Sequence, residues 1–161
     1  MNESHLRAFF DAWNRHDVDA VMQSFSDDCA YLASFGPERD GTAFRGVAEV
    51  RAGVAAFLSA FADARYTDLR TFLVGDRGVA EWTFSGTRAD GEQITYRGCD
   101  VFEFAGDRIR MKDAFRKERA APLRAGGGQA GKGSEAAVDI PCLLPDAPYA
   151  GAGGRHLHPA E

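Results

Sequence analysis

Asp100 and Asp113 are the residues of this chain best placed by type and spacing to move protons. Period-two alternation over Tyr96–Phe104 puts Tyr96, Gly98, Asp100, Phe102 and Phe104 on one face. Over Ile109–Phe115 it puts Ile109, Met111, Asp113 and Phe115 together, with Arg110, Lys112 and Arg116 opposite. A half-buried strand carries its charges on the wet side. Here each strand holds one carboxylate on its dry side, at a cost that calls for a partner or a purpose. The intervening Gly106-Asp107 suits a two-residue type II′ turn, which pairs Phe104 with Ile109, Phe102 with Met111 and Asp100 with Asp113. Glu103 then faces Arg110 on the wet side, an opposite-charge pair that favours the same register. Facing Cβ atoms lie about 4.5–5.5 Å apart. The two carboxyls are therefore expected to share a proton, with Asp100 as general acid and Asp113 as general base. The plainer reading is a buried polar network satisfied by backbone, tyrosine or water.

The elements that must hold these residues are legible along the first 119 positions. Leu6, Phe9, Phe10 and Trp13 recur at helical spacing from about Ser4. Asp17 is a suitable N-cap for a second helix, Val18–Phe25. Cys29–Phe35 reads as a strand closed by Gly36-Pro37, and a third helix runs from about Val47 to Phe61. Four strand segments follow, Tyr66–Val74, Val79–Arg88, Gln93–Phe104 and Arg108–Arg116, joined by Gly- and Asp-containing turns. Helices followed by an antiparallel run predict an α+β fold with the helices on one face of a curved sheet. In these registers Tyr31 and Tyr96 face the interior, and Trp13, Trp82, Phe84, Phe102 and Phe104 form core or pocket wall.

Composition narrows the function. The chain has 161 residues, one domain's worth, with a net charge of −5 and scattered cations, so no nucleic-acid or anionic-membrane footprint is present. It contains no apolar run of the roughly 18 residues that a membrane span needs. The polar start, Met1-Asn2-Glu3-Ser4-His5, does not read as a signal peptide. Three widely spaced cysteines, Cys29, Cys99 and Cys142, read as reduced thiols, and a cytoplasmic location is expected. Residues 120–161 hold five of the six prolines and eight of the 18 glycines, which predicts a mostly disordered tail dispensable for folding. One apolar piece there, Ile140–Leu144, is the segment able to dock. Gly126 to Gly133 misses the hydroxyl residue and the strand–helix context of a phosphate-binding loop, and His156 and His158 lack a third ligand. No metal and no cofactor are expected.

Several stretches resemble one superfamily: Phe10-Asp11-Ala12-Trp13-Asn14-Arg15-His16-Asp17-Val18-Asp19-Ala20-Val21, Phe25-Ser26-Asp27-Asp28-Cys29-Ala30-Tyr31, Phe44-Arg45-Gly46, and Asp100-Val101-Phe102-Glu103-Phe104 with Gly106-Asp107-Arg108-Ile109. Over about residues 4–118 the chain resembles the nuclear-transport-factor-2-like, SnoaL-like domains, which include ketosteroid isomerases, polyketide cyclases and limonene epoxide hydrolases. The resemblance implies a cone-shaped α+β barrel, its mixed sheet wrapped around three N-terminal helices and an internal pocket. It also implies a homodimer packed through the outer sheet face. Asp100 matches the position of a protonated, substrate-facing aspartic acid of the isomerases, but Ala33 stands at the position of their base and Phe9 near that of their oxyanion tyrosine. Asp113 lies near a last-strand aspartate of the epoxide hydrolases, whose Arg-x-Asp pair falls on Trp82 and Phe84. Acid chemistry from the final strands, as in the cyclases, is the closest surviving analogy.

The resemblance also bears on the Val79–Arg88 strand. A two-residue Asp90-Gly91 turn would face Trp82 and Phe84 outward, whereas a bulge would bring them inside, as the family's pocket implies. The expected function is binding of a small, largely apolar molecule, with metal-free acid–base chemistry of the isomerase, cyclase or hydratase type. Asp100 and Asp113 would be catalytic, and Trp13, Tyr31, Phe35, Trp82, Tyr96 and Phe102 would line the substrate. A non-catalytic ligand-binding or dimerisation module on the same fold is the alternative. An open cavity holding both carboxylates favours the enzyme; an interior filled by aromatic rings favours the module.

Overall fold

In the computed structural model, which describes residues 1–118, Leu6, Phe9, Phe10 and Trp13 form the buried stripe of helix α1 (Glu3–Asn14). Asn2 caps it by accepting from the His5 N–H. His16, with φ of 57°, turns the chain, and Asp17 caps α2 (Val18–Gln23) by accepting from the Ala20 N–H. The strand β1 (Phe25–Leu32) then begins four residues earlier than the sequence pattern predicts. Tertiary pairing decides this boundary, because Phe25 lies against Ile109 of the last strand and the Ile109 N–H donates to Ser24. A short strand, β2 (Ala43–Arg45), was not anticipated, and it leads into α3 (Gly46–Ala60).

The rest is sheet: β3 (Arg65–Val74), β4 (Arg77–Thr87), β5 (Gln93–Ala105) and β6 (Arg108–Arg116). The strand order is β2-β1-β6-β5-β4-β3, antiparallel throughout except where β1 runs parallel to β6. This six-stranded mixed sheet is open between β2 and β3, and the three helices supply the apolar layer that its inner face needs. Asn14 ties the layers together: its side-chain amide donates to the Tyr66 carbonyl at 2.9 Å and its oxygen accepts from the Tyr66 N–H at 2.7 Å. Tyr66 is thereby held at the end of α1.

Two turns set the faces of the central strands. Ala89-Asp90-Gly91 is a three-residue loop: the Gly91 N–H donates to Arg88, the Arg88 N–H donates to Glu92, and Gly91 adopts φ of 86°. That geometry shifts the register by one residue relative to a two-residue turn. Trp82 therefore pairs with Gly98 and Phe84 with Tyr96, and both rings are buried inside, the side that the expected bulge would give; loop length sets it instead, since the β4–β5 ladder is uninterrupted. At the second turn Ala105 pairs with Arg108 and Phe104 with Ile109, as the Gly106-Asp107 hairpin requires. The next pair is Glu103 with Met111, so Arg110 is an extra residue on β6. This bulge inverts the faces of everything beyond it.

Candidate functional site

The Arg110 bulge overturns the predicted aspartate pair. Asp100 pairs with Ala114 and Phe102 with Lys112, while Asp113 pairs with Val101 on the opposite side of the sheet. The two carboxylates therefore do not face one another and share no proton. Glu103 and Arg110 still meet, at 2.8 Å, but across the bulge rather than as register partners. Their charge complementarity is satisfied by either register, so it did not discriminate.

Lys112, assigned by alternation to the wet face, is the residue that meets Asp100. Its Nζ lies 2.9 Å from Asp100 Oδ1, and the two side chains are 2% and 0% exposed. The ammonium also sits 4.7 Å from the centre of the Tyr31 ring and 5.5 Å from that of Trp13, within cation–π range. Such a pair is costly to desolvate, and removing one partner strands the other at about 3–5 kcal/mol.

Around the pair stands an aromatic shell. Tyr66 packs edge-on against Trp82 at 5.3 Å and against Trp13 at 6.1 Å, and Phe102 stacks on Phe104 and meets Phe9 and Phe10 edge-on. Burial pushes the Asp100 carboxyl up, and the charge on Lys112 opposes this. The Trp82 indole N–H is near enough to favour the carboxylate, but its geometry falls short of a hydrogen bond, so Asp100 Oδ2 has no partner. The Trp13 and Trp82 Nε1 donors are likewise buried and unpartnered. Burial also raises the Tyr31 hydroxyl above its ordinary range, and the Tyr66 hydroxyl well above it, so both stay protonated donors at neutral pH. One acceptor and several donors thus lie within an otherwise apolar interior.

The remaining expected lining residues divide. Trp13, Tyr31, Trp82 and Phe102 belong to this centre, whereas Tyr96 and Phe35 lie at its rim. There the Arg116 guanidinium sits 4.8 Å from the Tyr96 ring and 5.3 Å from the Phe35 ring, and Arg88 donates to the Tyr96 hydroxyl at 2.8 Å. Asp113 opens instead on a shallow cleft of about 290 Å³ with Phe35, Asp40 and Phe115. Burial, then the Asp40 charge, raises its carboxyl. A second cleft, of about 310 Å³, lies between Asp68, Arg70, Glu81 and Arg97. Neither cleft is lined by Asp100 or Lys112, and aromatic rings fill the interior. His16, in the turn between α1 and α2, lies 3.2 Å from the Ala64 carbonyl. Among the described residues no three His, Cys, Asp or Glu side chains are grouped to hold a metal ion, and no helix is long and apolar enough to cross a membrane. The tail assigned to 120–161, with Cys142, His156, His158 and Ile140–Leu144, lies outside the described residues.

A helical layer against a mixed six-stranded sheet is matched by known proteins. The SnoaL-like domain model aligns with residues 6–111. The chain belongs to the SnoaL-like family. Among solved structures, a protein from Xanthomonas campestris provisionally named a polyketide cyclase superposes with a TM-score of 0.62 at 19% identity, covering 70% of this chain and 87% of its own. A Catenulispora acidiphila protein with a ketosteroid isomerase-like fold, solved with trimethylamine, gives 0.63 at 15% identity, covering 71% and 86%. An NTF2-like protein of unknown function from Burkholderia pseudomallei gives 0.63 at 21%, covering 71% and 88%. No curated protein matches the sequence. At these identities the structural likeness carries the fold and not the chemistry.

Proposed function

We propose that this SnoaL-like domain binds a small, largely apolar molecule bearing one oxygen function, and moves a proton on it without a metal or nucleotide. The observation that carries this reading is the set of buried, unpartnered polar atoms around the pair: Asp100 Oδ2, Trp13 Nε1 and Trp82 Nε1. Buried polar groups in folded proteins are nearly always paired, so unpartnered atoms beside the ion pair suit a polar ligand atom that displaces some of the surrounding rings. Asp100 is the proton-transferring group, Lys112 holds it, and Tyr31 or Tyr66 donates to the ligand oxygen. Asp113 is set aside from this chemistry because it lies on the other face.

The test needs no knowledge of the natural substrate. With cyclohexanone as probe in deuterated buffer, α-proton exchange is expected to exceed the buffer rate. Asp100→Asn should reduce it on the order of 10²-fold or more, the scale of general acid–base catalysis. The indole N–H signals of Trp13 and Trp82, the two tryptophans of the chain, should shift as the probe is added. Exchange at the buffer rate with both indole signals unmoved overturns the proposal.

The filled interior favours the second reading, a non-catalytic module. That reading draws on the outer sheet face, where Phe72 and Val74 are exposed and Val79, Val101 and Met111 half-buried. A homodimer through this face is compatible with either reading.

A further inference from the structure

We propose that the Lys112 amine is a nucleophile, and that the ligand class taken by this centre is aldehydes and ketones, which it binds covalently as an iminium. The inference rests on the ligand-binding reading above and deepens it. Three observations carry it. The first is the enclosure of Lys112, whose side chain is 2% exposed among the Trp13 and Tyr31 rings, an environment that strips water from an amine. The second is Asp100, whose Oδ1 lies 2.9 Å from Nζ and can take its proton, while the unpartnered Oδ2 is free to handle a second transfer. The third is the choice of cation. The chain uses 16 arginines and three lysines, and the one cation that is completely enclosed among the described residues is a lysine. Arginine is the usual residue for buried ion pairs, but only a primary amine condenses with a carbonyl.

The step balances within the pair. Asp100 takes one proton from the Lys112 ammonium, and the freed lone pair forms a C–N bond to the carbonyl carbon. A second N–H proton moves to the former carbonyl oxygen, giving a carbinolamine. Asp100 returns its proton to that hydroxyl, the C–O bond breaks, and water leaves. An iminium with one N–H remains beside the Asp100 carboxylate, and its positive charge acidifies the α-carbon for the proton transfer already proposed. Of the rings touching Trp13 and Tyr31, those of Phe44, Phe57 and Tyr66 are only partly buried and form the wall a ligand must displace.

Reductive trapping tests this on the full chain. Cyclohexanone with cyanoborohydride, followed by peptide mass analysis, should add the cyclohexyl mass to Lys112. Labelling should run more than about an order of magnitude faster than at exposed Lys117, and Asp100→Asn should slow it by roughly 10²-fold. Lys112→Arg, which retains the charge, should abolish both the adduct and the α-proton exchange; Lys112→Gln with unchanged circular dichroism serves if the arginine does not fit. Labelling of Lys112 no faster than Lys117 overturns the iminium. If exchange and indole shifts persist in wild type without an adduct, the iminium is wrong and the acid–base reading stands. If exchange, indole shifts and adduct are all missing, both fall.

Discussion

A carboxyl on the outer side of a sheet behaves differently from one sealed inside, and Asp113 shows the difference. It faces Val101 across the β5–β6 ladder, and burial together with the nearby Asp40 charge lifts it above its ordinary value of 3.8. A raised folded-state value means that the folded chain holds this proton more tightly than the unfolded one. The associated stability is complete below 3.8 and is lost as pH rises through the raised value. Asp113→Asn removes that loss. The variant and the wild type should therefore melt together in acid and diverge toward neutrality. The variant should melt higher by about 1–2 °C, the shift that roughly 0.5 kcal/mol gives in a protein of this size. Calorimetry across the pH range checks this, and equal melting temperatures at every pH would refute it. Asp100 also moves upward, but it is common to both proteins and cancels. At this scale the sequence singled out one residue correctly as a buried acid and missed its partner. Lys112 was missed because alternation alone cannot reveal an inserted residue that exchanges the two faces of a strand.

The element responsible is the bulge at Arg110, and nothing in its type announces it. Gly106 and Gly91 mark their turns visibly, since both take positive φ that favours glycine. Arg110 needs no such conformation, so its insertion is decided by fit: Ile109 and Lys112 both enter the interior, and β1 is irregular at the same level, between Phe25 and Ala30. The helices were readable because 3.6-residue periodicity and the Asp17 cap are local signals. The three-residue loop before β5 was not legible; the inward placement of Trp82 and Phe84 was, by way of the family's pocket. That loop places Trp82 over Gly98, where an added Cβ would lie 2.3 Å from the indole ring and 2.3 Å from the Phe115 carbonyl oxygen. Gly98→Ala should therefore cost at or above the upper end of the about 1–3 kcal/mol typical of overpacking, because one obstructing atom is backbone. Gly91→Ala meets nothing within 4 Å and should cost about 1 kcal/mol of left-handed strain. Urea unfolding of the two variants separates these cases. A Gly98→Ala protein as stable as Gly91→Ala would show that the Trp82 register is wrong.

Across the whole molecule the sheet has one face covered by helices and one face bare. Phe72, Val79, Val101 and Asp113 form a continuous row on that bare face, and Val74, Arg77, Glu103 and Met111 form the next. Phe72 is 60% and Val74 80% exposed, and the charge of Glu103 is offset between Arg77 and Arg110 at 2.7 and 2.8 Å. Contiguous exposed apolar surface of this kind marks an interaction site, and a self-complementary patch pairs most simply about a two-fold axis. Wild-type protein at micromolar concentration should therefore sediment as a dimer. Val101→Glu places a second carboxylate beside Asp113 in the middle of the face and should yield monomers, since burying like charges together is strongly unfavourable. Val47→Glu, at an exposed position on α3, should remain dimeric. A wild-type monomer, or a Val101→Glu dimer as tight as wild type, would exclude this face as the interface. If the dimer forms as expected, the Asp113 carboxyl lies within it. Raising the pH through the carboxyl's titration should then weaken association in the wild type and leave Asp113→Asn unaffected.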